Sequence, residues 1–323
     1  MSNVISERTA SVNGVDLHVT EAGAGPPVIF AHGFPELSYS WRHQLPALAA
    51  AGFHAVAPDQ RGYGRSSRPT AIEDYDIIAL TGDLLALLDD LGEERAVFVG
   101  NDWGSMLVWQ LALLAPERVA GVVGMSVPFI PRPAMPPVEM MRQLLGDSFF
   151  YVVYFQEPGV ADAELGRDPA MTMRRMLAGL SDTGDEIPDL AAALANDGRG
   201  FVDRLPEPSA LPAWLSRAEL DHFVEEFTRS GFTGPINWYR NLDRNWTITP
   251  QLDGAKVTAP SLFVGGARDP VLVMTPPALM DGWVTDHRGS VIIAEAGHWA
   301  PQEKPVEVNA AIVGFVEEIF RDA

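Results

Sequence analysis

An aspartate stands at the apex of a sharp turn within the stretch AVFVGNDWGSMLVW, which begins at Ala96. The first four residues are apolar and predict a buried strand, and Met106 to Leu114 predict a helix. Gly100 and Gly104 permit a tight bend between the two elements because neither carries a Cβ atom. The sequence therefore predicts a strand, turn and helix that present the side chain of Asp102 at the tip of the turn.

A carboxylate in this position can attack saturated carbon and form an alkyl ester, whose carbonyl water then attacks. The alternative is that Asp102 only caps the helix that follows it. The chemical interpretation is favoured because Asp269 and His298 each follow the predicted end of a later strand. The order nucleophile, acid, histidine is typical of a hydrolytic triad. No Asp or Glu occurs between Gly121 and Pro137, which leaves Asp269 as the candidate acid.

Two backbone N–H groups are candidates for an oxyanion hole. The sequence His32-Gly33-Phe34-Pro35 directly follows an apolar strand, and a glycine there lets the next N–H groups point into the crevice at the strand end. We expect the Phe34 N–H to be one donor and the Trp103 N–H, just after the nucleophile, to be the other. The loop at Phe34 could also be no more than a turn.

The composition limits the classes of function. The chain has 323 residues, 47% of them hydrophobic, and a formal charge of −20 without a Lys/Arg cluster, which argues against nucleic acid and anionic membranes as partners. It has no cysteine, so thiolate metal sites and cysteine catalysis are excluded. Met1 to Ala10 is polar, and no apolar run approaches membrane-spanning length. We therefore expect a soluble, cytoplasmic protein without membrane insertion.

Apolar runs alternate with helical patterns, which predicts an α/β fold with a doubly wound, mostly parallel sheet. Ser11 to Ala22 alternates around Asn13-Gly14 and predicts an opening hairpin. Asp76 to Leu91 carries an apolar stripe at helical spacing, and the last helix has Val308, Ile312 and Phe315 on one side. The further predicted strands are Val28 to Ala31, His54 to Pro58, Val119 to Met125, Ser261 to Val264 and Val291 to Ala294.

The strand pattern stops at Pro128, where five prolines occur up to Pro137. The section to about Asn245 is helical and aromatic, which predicts an inserted lid. Within it, Ser181 to Pro212 is acidic and weakly periodic and predicts a surface excursion. We divide the chain into a first core part (1–130), a helical lid or cap (131–245) and a second core part (246–323).

Several of these motifs together resemble the soluble epoxide hydrolases of the α/β-hydrolase fold. The resemblance covers nearly the whole chain, and it is closest to the compact bacterial members without the N-terminal phosphatase domain of the mammalian enzymes. It rests on HGFP from His32, RGYGRS from Arg61, the Asp102 turn, YFQEPG from Tyr154, NWYRN from Asn237 and GHW from Gly297.

The resemblance implies that two lid tyrosines, Tyr151 and Tyr239, protonate the epoxide oxygen. Asp102 would attack the epoxide carbon, and His298, oriented by Asp269, would then activate the water that releases a vicinal diol. A phenol suits the acid role because a pKa of about 10 keeps it protonated at neutral pH. Tyr154 is a near neighbour in sequence that we expect to be only a packed aromatic residue.

The implied substrate is a small apolar epoxide. Phe34, Trp103, Leu272 and Val273 are candidates to line an apolar pocket. No metal and no organic cofactor is expected, and a homodimer is left open.

Alternatives remain at this point. A haloalkane dehalogenase shares the Asp turn and the tryptophan after it, whose Nε1–H would bind halide, but it leaves the lid tyrosines unexplained. The fluoroacetate variant lacks its arginines between Ser105 and Gln110, and a serine esterase lacks its G-x-S-x-G motif. A ligand-binding protein without turnover is the alternative from another class.

One residue departs from the family pattern. Relatives commonly have histidine before the nucleophile, whereas this chain has Asn101. We expect Asn101 to hydrogen-bond locally and to affect the rate rather than the type of reaction.

Overall fold

A computed structural model describes residues 5–181 and 194–321, which form one eight-stranded sheet with helices on both faces. Its strand order is β1-β2-β4-β3-β5-β6-β7-β8. The pairs β1–β2 and β2–β4 are antiparallel and all the other pairs are parallel, which confirms the predicted mostly parallel sheet. The strands are β1 (Ser6–Val12), β2 (Val15–Gly23), β3 (Pro27–Ala31), β4 (His54–Pro58), β5 (Ala96–Asn101), β6 (Val119–Met125), β7 (Ser261–Gly266) and β8 (His287–Ile293).

The helices of the core pack in two layers, one on each face of the sheet. They are α1 (Gln44–Ala50), α2 (Ile77–Asp90), α3 (Trp103–Leu114) and, at the end of the chain, α13 (Pro305–Arg321). Neighbouring side chains of β5 point to opposite faces of the sheet. Val97 packs with α1 and α13, whereas Phe98 packs with α2 and α3. Both faces of the central strands are therefore buried, as the apolar runs predict.

The boundaries of most predicted elements agree with the structure to within a few residues. The hairpin turns at Asn13-Gly14, and α2 begins after Asp76, whose carboxylate accepts a hydrogen bond from the Ala79 N–H at 3.0 Å. The last strand is the exception. It begins at His287 rather than at the predicted Val291. The apolar pattern does not show this start because the first residues of the strand are mostly exposed and polar.

The described residues between β6 and β7 form helices and their connections and add no strand to the sheet. The last of these helices ends at Ile248, just beyond the predicted lid boundary at 245. Residues 182–193 of the predicted surface excursion lie outside the described residues. The helices are α4 (Pro137–Leu145), α5 (Tyr151–Tyr154), α6 (Val160–Arg167), α7 (Pro169–Gly179), α8 (Arg217–Ser230), α9 (Thr233–Arg240) and α10 (Leu242–Ile248). We call these helices and their connections the cap.

Two short helices complete the second core part: α11 (Pro270–Met274) after β7, and α12 (Ala300–Glu303) after β8. None of the helices in residues 5–181 and 194–321 has the length and apolar character needed to cross a membrane. In the same ranges, no three His, Asp or Glu side chains are grouped so that they could hold a metal ion.

Candidate active site

Asp102 lies between the end of β5 and the start of α3, at the predicted turn. Its φ of 53° is in the left-handed region, which costs a non-glycine residue free energy and is retained mostly at functional sites. Gly104 is required by the close approach of two elements, since a Cβ there would lie 1.9 Å from the carbonyl oxygen of Ala31. The tight packing of α3 on β3 therefore fixes where the Asp102 carboxylate points.

The two expected oxyanion donors both contact this carboxylate. The Phe34 N–H donates to Asp102 Oδ1 at 2.8 Å, and the Trp103 N–H lies close enough to the same carboxylate to lower its pKa. Gly33 leaves the space for this contact, because a Cβ there would lie 2.5 Å from Asp102 Oδ1. One carboxylate oxygen is thus held by the backbone, and the other, Oδ2, is the one nearer to His298.

The structure brings the three predicted triad residues together. His298 Nδ1 lies 3.1 Å from Asp269 Oδ1 and 3.2 Å from Asp269 Oδ2, and His298 Nε2 lies 3.7 Å from Asp102 Oδ2. Asp269 begins α11, where its Oδ1 accepts a hydrogen bond from the Val271 N–H at 2.9 Å. The histidine therefore presents one ring nitrogen to the acid and the other to the candidate nucleophile.

Burial and charge shift the pKa values of this group in different directions. Burial raises the pKa of Asp102 to about 6, although the nearby His298 charge and the backbone N–H groups lower it. Burial also opposes the charged form of His298, but the carboxylates of Asp269 and Asp102 outweigh it and raise the pKa of His298 to about 9. For Asp269, burial is outweighed by the His298 charge and by hydrogen bonds, which hold its pKa below the usual value. In the free protein at neutral pH, the site therefore holds two carboxylates around a protonated imidazole.

Ser126 is a member of this cluster that the sequence analysis missed. It lies directly after β6, with its Oγ 2.5 Å from Asp269 Oδ2 and 2.9 Å from His298 Nδ1. The residue is buried, and its φ is 65°. An isolated serine carries no sequence signal, and only the parallel pairing of β6 with β7 places it beside Asp269.

The two expected lid acids meet above the site. The rings of Tyr151, at the start of α5, and Tyr239, in α9, have centroids 5.9 Å apart. Tyr239 also packs edge-on against Trp103 at 5.0 Å and Phe34 at 5.6 Å. Burial, followed by the negative charge of Asp102, raises the pKa of both phenols, so each keeps its proton at neutral pH.

The side chain of Trp103 lies against Tyr239 and opposes the rise in the pKa of its phenol. An indole N–H can only donate, so the O–H of Tyr239 stays available as a donor to another group. Tyr154 is placed differently: burial and the nearby carboxylate of Glu164 raise the pKa of its phenol, and its ring packs on Phe149 and Phe155. These contacts are those of a structural residue.

The apolar wall of the site differs in part from the prediction. Phe34 and Trp103 are buried against Tyr239, and their role in binding substrate stays a prediction. Phe155 and Phe201 add rings next to Tyr151 that the sequence analysis did not single out.

Leu272 is partly buried against the core, but Val273 is 86% exposed and does not line a buried pocket. The prediction for Val273 was wrong because adjacent residues on a helix point about 100° apart, and α11 packs with Leu272 toward the core and Val273 toward solvent.

Comparison with known proteins agrees with this arrangement. Residues 26–305 match the model of the α/β hydrolase fold family. Epoxide hydrolase A of Mycobacterium tuberculosis is 56% identical over 96% of this chain and 97% of its own length. The chain belongs to the epoxide hydrolases of the α/β-hydrolase fold.

Two further epoxide hydrolases show how far the similarity extends. The crystal structure of epoxide hydrolase A from Mycobacterium thermoresistibile superimposes with a TM-score of 0.93 at 56% identity and covers 97% of this chain and 98% of that one. The bifunctional epoxide hydrolase 2 of Sus scrofa is 39% identical over 96% of this chain, which spans 54% of the length of that protein. The similarity therefore includes both the core and the cap.

In this epoxide hydrolase, Asn101 makes the local hydrogen bond that its position predicts. Its Nδ2 donates to Oε2 of the buried Glu36 at 3.0 Å, and the Gly33 N–H donates to the same oxygen at 3.1 Å. Gln302 donates to the other oxygen of Glu36 at 3.2 Å. Burial raises the pKa of Glu36, although the hydrogen bonds from Asn101 and Gly33 lower it. Glu36 is a second residue near the nucleophile that the sequence analysis missed.

The cap of this epoxide hydrolase directly contacts the loop that carries His298, after β8. The backbone N–H of His298 donates to the carbonyl oxygen of Leu180, at the end of α7, at 3.0 Å. The next residue, Ser181, accepts a hydrogen bond from the Trp214 indole at 3.1 Å. The backbone at His298 is therefore fixed by the cap as well as by the sheet.

Proposed function

We propose that this chain hydrolyses an epoxide to a vicinal diol through a covalent ester on Asp102. The observation that carries the proposal is the Asp102 carboxylate, which accepts a hydrogen bond from the Phe34 N–H and lies near the Trp103 N–H, below the buried phenol of Tyr239 and the partly buried phenol of Tyr151. A carboxylate supplies the nucleophile for saturated carbon, and phenols supply the protons that an opening epoxide ring needs.

In the first half-reaction, Asp102 Oδ2 attacks an epoxide carbon while Oδ1 stays on the backbone donors. The C–O bond of the ring breaks, and its electron pair goes to the epoxide oxygen. Tyr239 and Tyr151 hydrogen-bond that oxygen, and one of them gives it a proton. The raised pKa of both phenols keeps that proton in place until the oxygen becomes basic.

Esterification removes one of the negative charges that raise the pKa of His298, so the imidazolium gives up its proton more readily after the first step. That proton replaces, through solvent, the one that the phenol gave to the epoxide oxygen. In the second half-reaction, the neutral His298 takes a proton from water, and the resulting hydroxide attacks the ester carbonyl carbon of Asp102. The Phe34 and Trp103 N–H groups stabilise the oxyanion that forms. Its collapse breaks the ester bond, the departing alkoxide takes the proton of the added hydroxyl, and the diol and the Asp102 carboxylate result.

The aromatic rings around the site favour a small apolar epoxide as substrate. Phe34, Phe155 and Trp103 present apolar surface beside Tyr239, and the polar groups are concentrated at the reacting atoms. The formal charge of −20 argues against nucleic acid as a further partner. The cytoplasmic location, a homodimer and the lid boundaries at 131 and 245 stay predictions.

The experiment that tests the mechanism is the intact mass of the His298→Gln variant after incubation with panels of epoxides and haloalkanes. We expect a mass increase equal to the whole epoxide, because ester formation needs Asp102 whereas ester hydrolysis needs the histidine. Asp102→Ala is the matched control and should gain no mass.

The other outcomes of this experiment separate the alternatives. A mass increase from haloalkanes alone would support the dehalogenase mechanism, since halide leaves without protonation. Epoxide binding without adduct or diol would support the ligand-binding protein.

A further inference from the structure

The residue after β6 has a strained backbone that its surroundings must stabilise. Ser126 has a φ of 65°, and the Val127 N–H donates across it to the carbonyl oxygen of Met125 at 2.7 Å. A turn closed by this hydrogen bond, with a positive φ at its central residue, is rare and costs free energy for a residue with a Cβ. Because strain of this kind collects at functional sites, the contacts of the Ser126 side chain are informative.

The hydroxyl of Ser126 contacts both the acid and the base of the triad. Its Oγ lies 2.5 Å from Asp269 Oδ2 and 2.9 Å from His298 Nδ1. A base at Nε2 requires the proton of the neutral imidazole to be on Nδ1, where it faces the Asp269 carboxylate and Ser126 Oγ together. The serine proton then goes to Asp269 Oδ2, and the serine oxygen accepts from His298.

The two oxygens of Asp269 are held by different elements. The Val271 N–H at the start of α11 holds Oδ1 at 2.9 Å, and Ser126 at the end of β6 holds Oδ2. Without the serine donor, the carboxylate loses its hydrogen bond on one side and can rotate away from the imidazole. The orientation of His298 therefore depends on the hydroxyl of Ser126 as well as on Asp269.

We propose that Ser126 is a positioning residue that acts through Asp269 to keep His298 oriented as the base of ester hydrolysis. The proposal rests on the two-step reaction proposed above and assigns Ser126 to its second step alone. Attack by Asp102 on the epoxide does not need a basic His298, whereas release of the diol does. Loss of the hydroxyl should therefore slow one half-reaction and spare the other.

The test measures both half-reactions by single-turnover kinetics with a reactive epoxide, following the ester by mass after rapid quenching. We expect Ser126→Ala to slow ester hydrolysis about tenfold, as for the loss of a hydrogen bond to a charged group, and to leave ester formation within about twofold. Ser126→Gly is the second variant. It also lacks the hydroxyl but tolerates the positive φ, so the two variants should give the same kinetic result if the hydroxyl is responsible.

Ser105→Ala is the matched control. Ser105 is fully buried, and its hydroxyl donates to the carbonyl oxygen of Val127 at 2.6 Å, next to Ser126 but without a contact to Asp269 or His298. We expect both half-reactions to stay within about twofold of wild type in this variant. If Ser105→Ala slowed ester hydrolysis as much as Ser126→Ala does, any disturbance of this buried turn would be enough to slow that step, and the proposal would be overturned.

A double-mutant cycle with Asp269→Asn tests whether Ser126 acts through the acid. If it does, Ser126→Ala should slow hydrolysis by less than about twofold in the Asp269→Asn background. An undiminished effect there, or hydrolysis at the wild-type rate in both Ser126 variants, would overturn the proposal. Failure of the two-step reaction would be seen separately, as the absence of any ester in His298→Gln.

Discussion

The properties of the site at the scale of single residues follow from one buried cation between the buried carboxylate of Asp269 and the largely buried carboxylate of Asp102. Burial disfavours each charge on its own and raises the pKa of Asp102 to about 6, yet Asp102 and Asp269 together raise the pKa of His298 to about 9. In the proposed mechanism, Asp102 is thus ionised and the imidazole protonated when substrate arrives. Ester formation would then remove the charge of Asp102, so that His298 loses its proton more readily and can act as a base.

We predict that kcat/KM falls as the pH drops below about 6, by about tenfold per pH unit, because only ionised Asp102 attacks the epoxide. Because the pKa of Asp102 is raised, its ionised form is lost at a higher pH than that of an ordinary aspartate, so activity falls as the pH drops through about 6. A pH profile of kcat/KM with one epoxide checks this. The fold should be followed by circular dichroism over the same range, and an acid limb near pH 4 would mean that the attacking carboxylate is not desolvated.

At the scale of elements, the turn between β5 and α3 depends on how closely α3 approaches the neighbouring strand. Gly104, in the first turn of α3, lies against the backbone of Ala31 at the end of β3. Both of these segments are central and buried, so neither can move without disturbing Phe34 and the Asp102 carboxylate that it holds. The sheet therefore positions the nucleophile and its oxyanion donors together.

We predict opposite effects for two helical Gly→Ala substitutions. Gly104→Ala should destabilise the fold by about 3 kcal/mol or more, because its Cβ would lie 1.9 Å from the carbonyl oxygen of Ala31. Gly314→Ala is the matched control: Gly314 is an exposed residue within α13 with no atom near its Cβ position, so alanine should stabilise by about 1 kcal/mol through helix propensity. Chemical unfolding of both variants checks the two signs, and equal effects would contradict the packing argument.

Much of this arrangement is predictable from the sequence, because strong local patterns carry it. The apolar runs identify the strands, and the glycines around Asp102 with the later Asp269 and His298 identify the triad. The contributions of Ser126 and Glu36 are not predictable, since each depends on a long-range contact and neither residue lies in a distinctive pattern.

The structure also shows what a local pattern leaves undetermined. Val273 is apolar and close to Asp269 in sequence, but its direction depends on how the short helix α11 packs, which leaves it exposed. The two cap tyrosines are predictable only in part. The resemblance to the family identifies Tyr151 and Tyr239 in the sequence, whereas their contact depends on how α5 and α9 pack together.

At the scale of the whole molecule, the cap rests on a loop of the core that a buried ion pair holds in place. Trp238 directly precedes Tyr239 in α9, and its indole N–H donates to the carbonyl oxygen of Arg61 at 3.1 Å. Arg61 in turn makes two hydrogen bonds to Asp83 of α2, at 2.8 and 2.6 Å. The position of a cap tyrosine over the site therefore depends on an ion pair in the core.

We predict that Asp83→Asn lowers the free energy of unfolding by about 3–5 kcal/mol, because it leaves the guanidinium of Arg61 buried without a counter-charge. The two side chains are only 7% and 5% exposed, so water cannot replace the lost carboxylate. Asp89→Asn is the matched control on the same helix. Asp89 pairs with Arg118, but its side chain is 65% exposed, and we expect a change of at most about 0.5 kcal/mol. Urea unfolding measures both, and kcat at a permissive temperature shows whether the cap still places Tyr239. Equal stability losses in the two variants would mean that burial of the pair is not what makes Asp83 important.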